Sequence, residues 1–322
     1  MTIEFDNVYV KETSTVVGKK ESKGPLYPYF NKYYEDFYCG QKTFEEAEIE
    51  MIKSTISYIK NDYDLIIGAD LSNQLAITSK AIIKFKKPFI GVYTACASAC
   101  EAITIASNLI QNGNCKSILS TSSSHNLTAE RQFRFPVEYG AARKKTQTFT
   151  TTAAAAILLT NEKTKVRIKS TTTGKIIDSG STNPCHMGEV MSIAAADTIY
   201  THLKNMKETC DDYDMILTGD LGKYGKAILK EVLNIKYKIK LKNYDDCGCM
   251  LYKEDEEDIN AGGSGVACGP SVVYSYIYKM MKEKKMKKVL FVATGSLHNT
   301  TLVNQKSTIP SIANAVCFEV VI

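Results

Sequence analysis

The segment Thr94-Ala95-Cys96-Ala97-Ser98-Ala99-Cys100 follows a short apolar run and opens an apolar helical stretch. A cysteine at such a junction faces unpaired backbone N–H groups and the positive end of a helix dipole. Both favour thiolate, so Cys96 is placed for nucleophilic chemistry. The plainer reading is a small buried residue at a crowded helix start. A catalytic thiol also needs a base and an oxyanion site. His125 and His298 are the candidate bases, each just beyond a strand-like run. Asp70 and Asp220 stand just past two equivalent strand-like runs, where ligands gather in α/β sheets. Aspartate is equally a good cap for the next helix.

Arginine usage adds a second signal. Of 40 basic residues only four are Arg, and Arg131, Arg134 and Arg143 fall within 13 positions. Lys serves wherever a point charge suffices, whereas the guanidinium fork fits a carboxylate or phosphate. At least one of Arg131 and Arg134 is therefore expected to have a role that depends on fork geometry, with a ligand carboxylate as its partner. The competing expectation is an internal pair with Glu130 or Glu138. The stretch from Ser122 to Gly140 concentrates hydroxyls, a His, carboxylates and aromatics after one strand.

These residues sit in a chain that repeats itself. Asp62-Tyr63-Asp64-Leu65-Ile66-Ile67-Gly68-Ala69-Asp70-Leu71 returns 150 positions later as Asp212-Tyr213-Asp214-Met215-Ile216-Leu217-Thr218-Gly219-Asp220-Leu221, with six of ten identical. Ser117-Ile118-Leu119 before His125 is echoed by Lys288-Val289-Leu290 before His298, and Cys96 by Cys268. Three markers in the same order indicate a duplication. It divides the chain into halves 1–165 and 166–322 and suggests that His125 and His298 converge.

Thr43-Phe44-Glu45-Glu46 fits a capping box, followed by a helical stripe through Ile59. Ile193, Ala196, Tyr200 and Leu203 repeat that stripe. Leu65–Gly68, Pro88–Tyr93, Ile118–Ser120, Thr148–Leu159, Met215–Thr218 and Val289–Val292 read as strands, with a helix near 97–111. Alternating helices and strands predict an α/β fold with buried sheets. Residues 11–42 read as an irregular N-terminal segment.

Composition excludes several classes. The chain has 322 residues, 44% apolar and 23% charged, with net charge +5, so it is globular and carries no nucleic-acid footprint. No window supplies about 20 apolar residues for a membrane span, and Met1–Asp6 has no signal-peptide character. A cytoplasmic location is expected. Ten Cys without a tight framework read as reduced thiols, and four His without ligand-like spacing predict no metal site and no cofactor. No Walker loop or dinucleotide fingerprint occurs.

The Cys96 helix opening and the duplicated halves resemble the thiolase and ketoacyl-synthase superfold. Gly68-Ala69-Asp70-Leu71-Ser72-Asn73-Gln74, Ala194–Ile199, Leu217–Leu221, Asp245-Asp246-Cys247-Gly248 and Ala261–Gly265 are similar to the stage V sporulation protein AD (SpoVAD) family of endospore formers. The resemblance runs from about residue 20 to the end. It implies a layered α-β-α-β-α sandwich of two pseudo-twofold halves, without demonstrated acyl chemistry. It further implies a dipicolinic-acid-binding subunit, peripheral at the forespore and spore inner membrane. That subunit acts with the other SpoVA membrane proteins in uptake into the developing spore and release on germination. The ligand pocket implied lies at Asp70 and Cys96, and calcium dipicolinate would let Asp70 contact the metal. For such a planar dicarboxylate the resemblance implies Arg131 and Arg134 at the carboxylates and Phe133, Phe135 or Tyr139 as a flat apolar slot for the ring. Condensing enzymes place a His where this chain has Gly219-Asp220, and a His or Asn where it has Gly262-Gly263-Ser264, which implies a lost enzyme. The alternative is an active acyltransferase or condensing enzyme using Cys96. Pro184-Cys185-His186-Met187 departs from the family's more polar pattern. A homodimer through the strand that Thr148–Leu159 resembles is also implied.

Overall fold

The computed structural model describes residues 1–133, 143–253, 256 and 258–321. Ten strands form its frame: β1 (Tyr9–Val17), β2 (Leu65–Ala69), β3 (Phe89–Gly91), β4 (Ser117–Ser124), β5 (Ala153–Thr160), β6 (Val166–Thr172), β7 (Met215–Thr218), β8 (Tyr244–Asp246), β9 (Lys288–Ser296) and β10 (Pro310–Val320). Their spatial order is β3-β2-β4-β5-β1, then β6-β10-β9-β7-β8. Counted inward from the outer edge of each half, β3 or β8, the first two pairings are parallel and the next two antiparallel. The duplication is thus written in strand order and direction. β1 and β6 join the two halves through the pair Tyr9 with Arg167. Thr2–Glu4 at the N-terminus pairs with β6 of the second half.

Period-two alternation builds the layers. In β2, Ile66 packs outward with Met51 and Ile77, while Ile67 packs inward with Ile103. In the second half, Ile216 and Leu290 face outward with Ile199 and Leu229, while Leu217 and Phe291 face inward. The outer layers are α1 (Phe44–Ser57) with α2 (Ala76–Ile82), and α5 (Met187–Met206) with α6 (Gly222–Tyr237). The inner layer is α3 (Ser98–Gln111) with α7 (Cys268–Val272), which continues through a π turn at Val273–Ile277. A short helix, α4 (Asn126–Phe133), follows β4.

Three expectations need correction. Residues 11–42 are not irregular throughout, because β1 is a central strand. Its Val and Thr residues favour the pleated surface, and Lys11 and Glu12 mask that pattern. The strand expected at Thr148–Leu159 is split into Phe149–Thr150 and β5. β5 is paired along both edges, by β4 and β1, so it has no free edge for a second copy. Among the described residues, β3 ends the first half's sheet instead.

Half of the expected capping box forms at α1: Thr43 Oγ1 accepts from Glu46 N–H at 3.1 Å. Glu46 reaches back to the Lys42 N–H at 3.3 Å, one residue earlier than the reciprocal bond expected.

Candidate functional site

The C-terminal ends of β2, β3, β7 and β9 converge on one small cavity. It encloses about 50 Å³ and is lined by Leu71, Tyr93, Cys96, Asp220, Ser296 and His298 from those ends. Thr150, Ser264 and Gly265 also line it, and Phe133, Met187 and Met191 add apolar walls. This is where ligands gather in α/β sheets.

Cys96 reaches the cavity through an unusual turn. Ala95 adopts φ +50, a left-handed conformation costly for a residue with a Cβ. The turn is pinned by Thr94 N–H on Ser98 Oγ at 2.7 Å and by Thr94 Oγ1 on Glu101 at 2.7 Å. β9 presses against it at Gly295, where a Cβ would stand 2.4 Å from the Thr94 carbonyl oxygen. Strain held by its surroundings marks functional turns.

The thiol environment reverses the electrostatic expectation. Cys96 and Asp220 both line the cavity, and burial followed by that carboxyl pushes the thiol well above its ordinary range. α3 begins at Ser98, two residues later, and its dipole does not prevail. Burial pushes Asp220 itself up to about 7, against hydrogen bonds from Thr294, Cys96 and Gly265. Gly265 N–H donates to Asp220 Oδ2 at 3.1 Å and Thr294 Oγ1 to Oδ1. Gly265 holds φ +107 close against Ser124, a conformation that suits glycine. A buried acid and a half-buried thiol therefore face each other at the cavity.

The remaining candidates are dispersed. Asp70 is fully buried and accepts from Ser72 N–H at 2.6 Å, Thr78 N–H at 2.8 Å and both hydroxyls. It ties the β2 end to α2, and its neighbour Leu71 lines the cavity. In the second half that tying role falls to Asp246, which accepts from Thr218, Leu221 and Gly222 and leaves Asp220 to the cavity. His125 and His298 do not converge. His298 lines the cavity, whereas His125 is buried, bonded through Nε2 to the Phe37 carbonyl at 2.7 Å and stacked on Phe44. Burial lowers His125 to about 4, so it is neutral.

Arg131 pairs with Glu45 at 3.0 Å, neither of the partners expected. Arg143 bonds Asn126 at 3.1 Å and lies 3.8 Å from Glu130. Arg134, Phe135 and Tyr139 lie outside the described residues. His186 sits 3.6 Å from Glu189 at the start of α5, whose first residue, Met187, lines the cavity. All ten cysteines are free, and no cluster among the described residues could hold a metal ion.

Three contributors escaped the sequence reading. Thr294 and Ser296 flank Gly295 at the end of β9, and Tyr93 follows β3. The buried Ser296 hydroxyl has no hydrogen-bond partner among the described residues. The visible signal was Thr-Gly-Ser at a strand end before His298. An outer chamber of about 260 Å³ adjoins the cavity and shares Tyr93, Phe133 and His298 with it.

Comparison with known proteins fits this architecture. The model of the family Stage V sporulation protein AD (SpoVAD) matches residues 1–319. The chain belongs to that family. The SpoVAD protein of Bacillus subtilis (strain 168), stage V sporulation protein AD, is 41% identical over 320 residues, covering 97% of this chain and 94% of that protein. Solved structures share the fold at much lower identity. The 3-oxoacyl-[acyl-carrier-protein] synthase III of Aquifex aeolicus VF5 aligns with TM-score 0.57 and 14% identity, over 97% of this chain and 99% of its own. A single-residue variant of OleA from Xanthomonas campestris gives 0.59 and 12%, over 98% and 99%. Human mitochondrial 3-ketoacyl-CoA thiolase gives 0.58 and 9%, over 98% and 99%. The thiolase-like fold is therefore held in common between a SpoVAD sporulation protein and condensing enzymes. No described helix is long and apolar enough to cross a membrane.

Proposed function

We propose that this SpoVAD chain is a non-catalytic subunit that binds dipicolinic acid, free or as the calcium salt. It works with the other SpoVA proteins at the forespore and spore inner membrane, in loading and release. The observation that carries this reading is the Cys96–Asp220 pair. A nucleophilic thiol needs a base that takes its proton. Here the neighbour is Asp220, whose ionised form repels a thiolate, and the thiol is pushed up rather than down. The thiolate, not the thiol, attacks.

The site suits a planar dicarboxylate in shape. The inner cavity of about 50 Å³ has room for little more than one small polar group. The outer chamber of about 260 Å³ takes the ring, with Phe133 and Tyr93 as apolar faces and His298 at the junction. Arg131, turned to Glu45, is left out of this arrangement.

The test pairs two readouts. Calorimetry with dipicolinate and with calcium dipicolinate is expected to give saturable binding. Incubation with acetyl-CoA or malonyl-CoA is expected to leave the intact mass unchanged. An acetyl adduct mapped to Cys96 would replace this reading with the acyltransferase.

A further inference from the structure

The inner cavity presents an electrostatic problem to any carboxylate ligand, and its solution goes beyond the binding role proposed above, on which it rests. Asp220 forms the floor, is 1% exposed, and faces a cavity whose lining, among the described residues, contains no Lys or Arg. The groups around it come from every packed element. Cys96 lies before α3, Thr294 on β9, Gly265 N–H in the turn before α7 and His298 across the cavity. Cys268 of α7, Cys247 and the second buried acid, Asp246, add to the surroundings. No Lys or Arg is among these groups. Ser296 also lines the cavity, and its buried hydroxyl has no partner among the described residues.

Two carboxylates in one buried site cannot both ionise without a large cost. One proton shared between them removes the repulsion and creates a hydrogen bond from the acid to the carboxylate. We infer that a carboxylate ligand binds in the inner cavity only beside the neutral acid form of Asp220, which takes one proton from solvent wherever it is ionised beforehand. No covalent bond to the ligand forms or breaks; a proton so taken leaves with the ligand. Burial already lifts Asp220 to about 7, so the proton is available just below neutrality and is withdrawn above it. The pair titrates as a unit.

The sign follows. With Asp220 neutral, binding takes up no proton and affinity is flat with pH. With Asp220 ionised, binding takes up one proton, and affinity falls up to about tenfold per pH unit. Dipicolinate titrations of the unaltered protein from about pH 6 to 9, in two buffers of unlike ionisation enthalpy, read both quantities. Proton uptake near zero at the acid end and approaching one at the alkaline end is expected. Asp220→Asn keeps a hydrogen-bonding amide and is expected to bind with a flat pH profile and no uptake. His298→Gln is expected to keep the uptake. Binding by the unaltered protein without a buffer-dependent heat at alkaline pH overturns this inference alone. Uptake lost in a His298→Gln protein that still binds dipicolinate, or unchanged in Asp220→Asn, also overturns it. Absence of binding at every pH overturns the parent reading. The unaltered protein and His298→Gln decide the matter even if Asp220→Asn fails to fold.

Discussion

Asp70 and Asp220 occupy matched positions in the two halves and do different work. Both were visible in the sequence, with capping and ligand binding left open for each. What separates them is long-range. Asp70 meets donors two and eight residues away, whereas Asp220 meets Thr294, 74 residues on, and Gly265, 45 residues on. Local sequence shows the first kind of contact and hides the second. Arginine usage left the partner open for a related reason: rarity of Arg flags a need for fork geometry, not the identity of the partner. Arg131 and Glu45 form a pair exposed by 45% and 41%. Arg131→Lys is therefore expected to cost less than about 1 kcal/mol in a thermal melt and to leave dipicolinate affinity unchanged. A tenfold loss of affinity in calorimetry would return Arg131 to the ligand. Cys96→Ser is expected to keep both the fold and most of the affinity, because volume and hydrogen bonding survive the change.

Strands and helices were legible where periodicity was unbroken. β7 matches the expected Met215–Thr218 run, and α3 begins one residue from the expected start. β1 was missed because its alternation is interrupted by charges near its start, where the strand has a bulge between Val10 and Glu12. The packing of one element against another was not legible at all. The approach of β9 to the Cys96 turn depends on Gly295, which from sequence is one glycine among 19. Gly295→Ala would drive a Cβ against the Thr94 carbonyl oxygen, 2.4 Å away, and the turn must move. A destabilisation of about 1–3 kcal/mol is expected in chemical denaturation, together with weakened dipicolinate binding. A Gly295→Ala protein with unaltered stability and affinity would show that the turn is not held by this contact.

Across the whole molecule, buried ionisable groups set opposing pH dependences. Burial raises Glu48 to about 8 and Glu21 to about 7. Each is protonated when folded and ionised when unfolded over the interval from its ordinary value of 4.5 to the raised one. Their contribution therefore declines as pH rises through that interval and levels off above it. Burial lowers His125 and His202 to about 4, so their contribution declines as pH falls from about 6.5 to 4. Glu48 accepts from Ser123 at 2.8 Å and Thr128 at 2.9 Å. Glu48→Gln keeps an acceptor and removes the titration. Denaturant midpoints from about pH 5 to 8 are expected to decline less steeply in Glu48→Gln than in the unaltered protein. Equal slopes would show that Glu48 is ionised in the folded chain.

The central claim is that the cavity beside Cys96 is a binding site for a dicarboxylate and not a seat of acyl transfer. Its most direct test is a calorimetric titration of dipicolinate into Cys96→Phe, alongside the unaltered protein and with a melt of each. A phenyl group fills a cavity of about 50 Å³, so the account predicts saturable binding by the unaltered protein and none by a folded Cys96→Phe. Equal affinity in the two proteins, with both folded, would contradict it.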